Sequence, residues 1–418
     1  MKLKYRTDYL ITHVRGVECS GVRVKGGGLG LVRCSGTVAG VFTRNKFRAA
    51  PVILTQKHIS DGHIEGIIVN SGNANAYTGE KGMENAKKMA EMYAEKLGCE
   101  EKDIAVSSTG VIGVQLDMKW IESLFNEVYP KIGDGDENAW NFAKAITTTD
   151  AFTKQWGVKV GDAVIAGVAK GAGMIAPNMA TMLCYVFTDA EVNAEDLNEI
   201  LRYAVNRTFN SITVDGDTST NDTVLLVSTG RKKLETEKLK KAVLRVCSVL
   251  AEMIVADGEG ATKLIRVFVS GARNDEEAYR AARAVASSTL VKTAVFGGDP
   301  NWGRIVAALG YSGAEAGEIT LEICGKEWRA EDSFALSCVG EGADKMMAGM
   351  GRERNGTTRR VRILDRGRET GNREKAREAM KGEVVEIHID LGVGEGKASF
   401  AGCDLSYDYV RLNSEYTT

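Results

Sequence analysis

The stretch GVAKGAGMIAPNMATMLCYVF (167–187) holds no histidine and no carboxylate, yet it leads through Ala180-Thr181 into an apolar run. Two readings fit it. In one, a glycine turn feeds a buried strand and Thr181 is a β-branched core residue. In the other, the chain cuts itself before Thr181 and the released threonine is a nucleophile. An N-terminal threonine carries its own base, because its free α-amine, with a reference pKa near about 8, can take the hydroxyl proton directly or through water. Before the cut that amine is a peptide nitrogen. The hydroxyl must therefore first attack the Ala180 carbonyl, turning the peptide into an ester that water opens.

Other segments could assist such chemistry. In VSSTG (106–110), the Thr109 hydroxyl and the Gly110 N–H could converge on a developing alkoxide, or the segment could be a plain strand-end turn. Lys170 stands eleven positions before Thr181; it is either a strand-edge residue whose amine reaches water, or a cation that holds a substrate carboxylate in a closed cleft. Asp257 and Glu259 lie among small residues in VADGEGATKLI (255–265), a turn-forming composition that would also leave room for a ligand. NSITVDGDTSTNDT (210–223) alternates oxygen donors without the full calcium-loop pattern, so a self-capped turn is expected there. The only histidines are His13, His58, His63 and His388, with no HExxH and no nearby GxSxG serine. That scarcity favours chemistry needing no histidine.

The elements that must position these residues mix strands and helices throughout. GLGLVRC, TVAGVFT, PVILTQ and GIIVNSG in the first third read as short strands between glycine turns. Residues 82–98 form an amphipathic helix, with Met83, Ala86, Met89, Tyr93 and Leu97 at helical spacing and Gly98 as its C-cap. A second helix, 193–209, starts with Asn193 and Asp196 at capping-box spacing. EKLKKAVLRVCSVLAEMIV is a third, and 275–292 reads as one more. Strands are expected at DIAVSSTGVIG, AVIAGVAKGAG, TMLCYVFTDA, DTVLLVSTG, KLIRVFVSG, VVEIHIDLG and KASFAGC. The expected class is α/β, of α+β character: layered mixed or antiparallel sheets flanked by helices. There is no GxxxxGK[ST] phosphate loop, and GGGLGL near residue 26 lacks the helix a dinucleotide fold requires.

The 418 residues allow a large core, and a net charge of -2 argues against broad capture of nucleic acid or acidic membrane. The arginine-rich segment 351–377 is interleaved with acids and reads as a solvated face. With no signal-like or membrane-spanning run, a cytoplasmic chain is expected, and its eight scattered cysteines read as buried thiols.

Taken together, GVFTRNKFRAAPV, SGNANAYTG, SSTGVIG, TTDAFTK, VAKGAGMIAPNMATML, FNSITVDGDTSTND, DGEGATK, GGDPNWGRI and GCDLSYDYVRLNSEYTT resemble the arginine-biosynthesis glutamate N-acetyltransferase (ornithine acetyltransferase) family. They occur in the family's order over nearly the whole chain. The resemblance implies self-cleavage between Ala180 and Thr181 into 1–180 and 181–418, fragments that stay associated, assembled as a heterotetramer of two of each. It implies oxyanion donors at Thr109 and Gly110, and substrate contacts at Thr148, Lys170, Thr181, Glu259, Asn413 and Thr418. Thr148, Asn413 and Thr418 enter through the resemblance alone. It further implies acetyl transfer from N2-acetyl-L-ornithine to L-glutamate, releasing L-ornithine and N-acetyl-L-glutamate, with no cofactor or metal. An exchange-only enzyme is the preferred expectation; a bifunctional one that also takes acetyl-CoA is the alternative, and an N-terminal-nucleophile hydrolase competes with both. The resemblance thins over 328–372.

Overall fold

The computed structural model describes Tyr5 and residues 7–176, 182–338 and 360–415, except the side chains of 337–338. It contains two compact units, one made of Arg6–Asn210 and Asp217–Leu250, the other of Ser211–Gly216 and Ala251–Thr417 with Met1–Tyr5.

The first unit is built on an eight-stranded sheet of β1 (Val17–Val24), β2 (Gly27–Phe42), β3 (His63–Asn73), β4 (Ile104–Val111), β5 (Lys154–Val160), β6 (Ala163–Lys170), β7 (Leu183–Ala190) and β9 (Thr223–Lys232). The order is β4-β3-β2-β9-β7-β6-β5, with β1 paired to β2. The pairs β3–β4 and β7–β9 are parallel and the rest antiparallel, so the sheet is mixed as expected. Side chains alternate between two cores: Ile67, Val69 and Ala105 enter one cluster, Ile68, Ile104 and Val106 the other. Helix Asp136–Ala145 covers the first face through Ala139, Phe142 and Ala143. Helices Gly79–Leu97 and Met118–Val128 cover the second. In the former, Ala86, Met89, Ala90 and Tyr93 are buried and Gly98 closes the last turn at φ 73°, as the 3.6-residue period predicts.

The second unit holds a seven-stranded mixed sheet of β8 (Ile212–Thr213), β10 (Leu264–Ala272), β11 (Thr320–Lys326), β12 (Val361–Asp365), β13 (Arg368–Glu369), β14 (Val384–Asp390) and β15 (Gly396–Cys403), ordered β13-β12-β11-β14-β10-β15-β8. Small residues Ala278, Ala281, Ala282 and Ala286 bring helix Asp275–Ser287 close onto it. Beneath this sheet lies a buried ion cluster. Arg266 donates through Nε and Nη2 to Glu252 (2.7 and 2.9 Å) and through Nη1 to Glu386 (3.2 Å). Glu252 also accepts from Trp328 Nε1 and Phe334 N, so the weakly recognisable segment is tied down at least as far as Phe334.

Two expected elements differ. PVILTQ is not a strand but part of helix Ala50–His58: Pro51 fits a first helical turn, where its missing N–H costs nothing, and Val52, Leu54 and Thr55 are buried. The expected helix 275–292 is two, Asp275–Ser287 and Thr289–Phe296, because Ser288 is extended and its hydroxyl accepts from Val291 N. Among the described residues no helix is long and apolar enough to cross a membrane.

Candidate active site

Strand β4 carries Ser107, Ser108, Thr109 and Gly110 to the end of the first unit's sheet, where it pairs in parallel with Asn70–Gly72 of β3. Gly110 has φ +135°, and a Cβ there would fall 2.2 Å from the Gly72 carbonyl carbon, so only glycine allows the two backbones to approach this closely. Ser108 Oγ donates to Asn70 Oδ1 (2.5 Å), and Asn221 Nδ2 donates to the Ser108 and Ala74 carbonyls (2.8 and 2.6 Å). The strand end is held from both sides.

Lys170 ends β6. It is 2% exposed, so its amine does not reach water at a strand edge. Its Nζ donates to Thr109 Oγ1 (3.1 Å) and Thr148 Oγ1 (2.9 Å). An ammonium can only donate, so each hydroxyl accepts from Lys170 and keeps its own hydrogen for another acceptor. Thr148 is placed by Asp150, whose Oδ2 accepts the Thr148 N–H (2.9 Å) while Oδ1 accepts from Lys154 Nζ and Gly171 N (both 2.7 Å). Burial opposes the Asp150 charge, yet the Lys154 and Lys170 ammonium groups and these hydrogen bonds hold its carboxyl well below the usual range.

The connection expected to contain the cut begins and ends at one point of the sheet, since Lys170 of β6 stands opposite Leu183 of β7. Ala180 and Thr181 themselves lie outside the described residues, as does Thr418. Met182 N donates to Asp222 Oδ1 (2.9 Å). Asp222 is fully buried, and burial pushes its carboxyl pKa well up against the pull of Met182 N–H and Lys170. The segment around it is the expected self-capped turn: Thr220 Oγ1 donates to Asn221 Oδ1 and Asn221 N to Ser219 Oγ.

In the second unit Glu259 meets Asn413, whose Nδ2 donates to Glu259 Oε2 (2.9 Å) from helix Tyr407–Glu415. Gly260 permits this: its φ is +71°, and a Cβ would lie 2.3 Å from Tyr409 N. The sequence-derived residues thus fall into two groups, Thr109, Gly110, Thr148 and Lys170 in one unit and Glu259 and Asn413 in the other. Asp150 and Asp222 carry no sequence signal beyond membership of TTDAFTK and TSTND. Among the described residues no group of three or more His, Cys, Asp or Glu is arranged to hold a metal.

A family model described as the ArgJ family matches residues 14–418. The chain belongs to that family. It is 52% identical over 410 residues (98% of this chain, 100% of the other) to the arginine biosynthesis bifunctional protein ArgJ of Archaeoglobus fulgidus. It is 45% identical over 391 residues to the glutamate N-acetyltransferase of Methanocaldococcus jannaschii, covering 91% of each chain. Against the enzyme of the same name from Methanothermobacter thermautotrophicus it is 44% identical over 415 residues, 97% of this chain and 96% of the other. Membership makes this ArgJ-family chain an enzyme, an acetyltransferase of arginine biosynthesis, as its motifs lead one to expect.

Proposed function

We propose that this enzyme moves acetyl from N2-acetyl-L-ornithine to L-glutamate through an acetyl ester on Thr181, and that it also accepts acetyl-CoA as donor. The observation that carries the mechanism is the buried Lys170 ammonium, which donates one hydrogen bond to each of two threonine hydroxyls and leaves their hydrogens to donate. Maturation comes first: Thr181 Oγ attacks the Ala180 carbonyl, the peptide becomes an ester, and water frees the Thr181 amine. Strands β6 and β7, one from each resulting fragment, share a ladder that keeps 1–180 and 181–418 together. Assembly as two copies of each fragment carries over from the resemblance, with light scattering as its check.

In the reaction, Thr181 Oγ attacks the acetyl carbonyl carbon and its proton passes to the Thr181 amine. The Thr109 hydroxyl and Gly110 N–H stabilise the oxyanion. The C–N bond then breaks, the leaving amine takes the proton, and ornithine departs. The glutamate amine attacks the ester and reverses these steps. Lys170 supplies positive charge for a substrate carboxylate, Glu259 contacts an amino group, and Thr148, Asn413 and Thr418 contribute further substrate contacts. Asp222, through the Met182 N–H, fixes the residue that follows the nucleophile.

The preference for an exchange-only enzyme gives way to the bifunctional alternative, because the relative at 52% identity over its whole length is a bifunctional protein, against 45% and 44% for the two glutamate N-acetyltransferases. Wild-type protein is expected to run as two bands on a denaturing gel, the larger beginning Thr-Met-Leu-Cys, and to gain one acetyl mass on that fragment with N-acetylornithine alone. Thr181→Ala is expected to stay one chain and lose all turnover. An acetyl group found on another residue, or an active uncleaved chain, overturns the mechanism. Glutamate-dependent release of free thiol from acetyl-CoA tests the second donor, and acetyl release without glutamate would mark a hydrolase.

A further inference from the structure

In the arginine-rich segment most of the described arginines are engaged by carboxylates. In its described part, Arg360 and Arg362 pair with Glu322, Arg373 with Asp299 and Arg377 with Glu374. Arg44, Lys46 and Arg48 form a different kind of cluster, three cations within five residues around an exposed aromatic ring. All three are exposed, Arg48 donates to the neutral Gln56 (3.0 Å), and among the described residues none of the three has a carboxylate within ion-pairing distance.

The loop presenting them is fixed. Thr43 Oγ1 donates to Ser219 O (2.7 Å), Asn45 Nδ2 to Thr218 O (3.0 Å), Phe47 N to Asn45 Oδ1 (2.9 Å) and Ala49 N to Thr220 O (2.9 Å). Between the cations, Phe47 stands 65% exposed, edge-on to Tyr77, which is 77% exposed, with ring centroids 5.9 Å apart. Tyr77 also holds φ +57°, a conformation that bulky side chains avoid and that tends to persist at binding sites.

This patch is tied to the chain that leaves the proposed oxyanion donors. Residues 74–78 are laced to the chain that directly follows Thr109-Gly110: Ala74 N donates to Val111 O, Gly113 N to Ala76 O and Gln115 Nε2 to Thr78 O. Ile112 and Val114 on that chain are themselves exposed. Ile112 and Val114 thus follow Thr109-Gly110 in the chain, that segment is hydrogen-bonded to the one bearing Tyr77, and Tyr77 meets Phe47, which lies among the three cations in sequence. A coenzyme A thioester has the same order of chemistry: an acetyl thioester, a pantetheine arm, and an adenine ring bearing phosphates.

We propose that Arg44, Lys46 and Arg48, with Phe47 and Tyr77, bind the phosphoadenosine end of acetyl-CoA, with the cations on its phosphates and the rings against its base. This rests on the bifunctional reading above. None of these five residues takes part in the acetyl exchange between amino acids, so the two activities separate by mutation.

The test uses mature wild-type enzyme and an Arg44→Gln/Lys46→Gln double variant, with Phe47→Ala as a second. Each is assayed with glutamate and one of three donors: acetyl-CoA, the N-acetylcysteamine thioester that lacks phosphates and adenine, and N-acetylornithine. Free CoA binding is measured by calorimetry. The expected result is an about tenfold higher KM for acetyl-CoA in the double variant, from the loss of two charge–phosphate contacts. Kinetics with the other two donors should not change. An unchanged KM for acetyl-CoA overturns the site while leaving bifunctionality intact, and an equal loss with the truncated thioester also overturns it. Wild type that binds CoA, with the binding lost in the double variant, but does not turn over acetyl-CoA sustains the site and sinks the bifunctional reading. Wild type that does neither sinks both.

Discussion

Each unit buries a cation among polar partners, and the two clusters are completed differently. Arg266 spends its guanidinium on two carboxylates; Glu252 is closed further by Trp328 and Phe334, and Glu386 by Lys326 (3.0 Å) and His388 (3.1 Å). Charge is matched by charge and each carboxylate meets several donors. Such a cluster locks a fold and has nothing to offer a substrate. Lys170 is also buried and its charge acts on the buried Asp150 and Asp222, but its hydrogen bonds to Thr109 and Thr148 go to hydroxyls, which are donors in their own right. Polarity is passed on from Lys170 and consumed at Arg266.

The largest expected effect breaks the saturated cluster. Arg266→Met leaves Glu252 and Glu386 buried without their shared cation, and removing one partner of such a group costs about 3–5 kcal/mol. Urea unfolding should show that loss, while kcat per folded molecule stays at the wild-type value. A large drop in kcat in the folded variant would place Arg266 in the chemistry and end the contrast.

Next comes Lys170→Met, where the damage should be kinetic. Losing an oriented oxyanion donor costs roughly 3–4 kcal/mol of transition-state stabilisation, about 10²–10³-fold in kcat. Both half-reactions should suffer, since both pass through the same oxyanion. Asp150 keeps its ion pair with Lys154 at 2.7 Å, so the melting temperature should change little. Wild-type kinetics in this variant would mean that Thr109 needs no orientation from Lys170.

A third prediction concerns acid. Against burial, which raises it, the His388 hydrogen bond and the Arg266 and Lys326 charges lower the Glu386 pKa from 4.5 to about 2. A depressed folded-state pKa gives stability that is fully present above the unfolded value of 4.5 and is lost as pH falls towards about 2. Over that window the ionisation is worth roughly 3 kcal/mol. Stability of Glu386→Gln, although lower at neutral pH, should vary less with pH there. Curves that run parallel for the two proteins would remove Glu386 as the titrating group.

Local periodicity made part of this legible in the sequence. Helix Gly79–Leu97 announces itself through Ala86, Met89 and Tyr93 and stops at Gly98, because every signal lies within its own length. Ala50–His58 reads as a strand because Val52 and Ile53 are β-branched; its helix is decided by Pro51 and by packing against distant chain, including the Thr55 hydroxyl, which donates to Val106 O (2.7 Å). The same division holds at the site. Thr109, Gly110 and Lys170 are suggested by their own neighbourhoods, but that Lys170 holds Thr109 across 61 residues and Thr148 across 22 is a fact of strand order. Asp222 is hidden more deeply, since one of several acids in a polar turn gives no sign of burial beside Met182. Likewise the arginine-dense 360–377 draws the eye, although Arg360, Arg362, Arg373 and Arg377 there are held by carboxylates, whereas among the described residues the sparser Arg44, Lys46 and Arg48 are not.

The smallest expected effect asks to which side of the comparison Glu259 and Asn413 belong. Asn413 donates to Glu259 Oε2 and to Tyr409 O (3.0 Å), and it is exposed, as a surface pair would be. A hydrogen bond to a charged group in such a setting contributes little to stability, about 1 kcal/mol, because water replaces it readily. If the pair only staples helix Tyr407–Glu415, Asn413→Ala should lower the melting temperature slightly and leave both substrates' KM values alone. If instead Asn413 aims Glu259 at a substrate amine, the same change should raise KM for glutamate and acetylornithine about five- to tenfold with kcat unaltered, the pattern of lost uniform binding. We expect the second outcome, with Asn413→Asp worse than Asn413→Ala, since a second carboxylate beside Glu259 would repel it rather than orient it. Unchanged KM values in both variants would assign the pair to the surface of the fold.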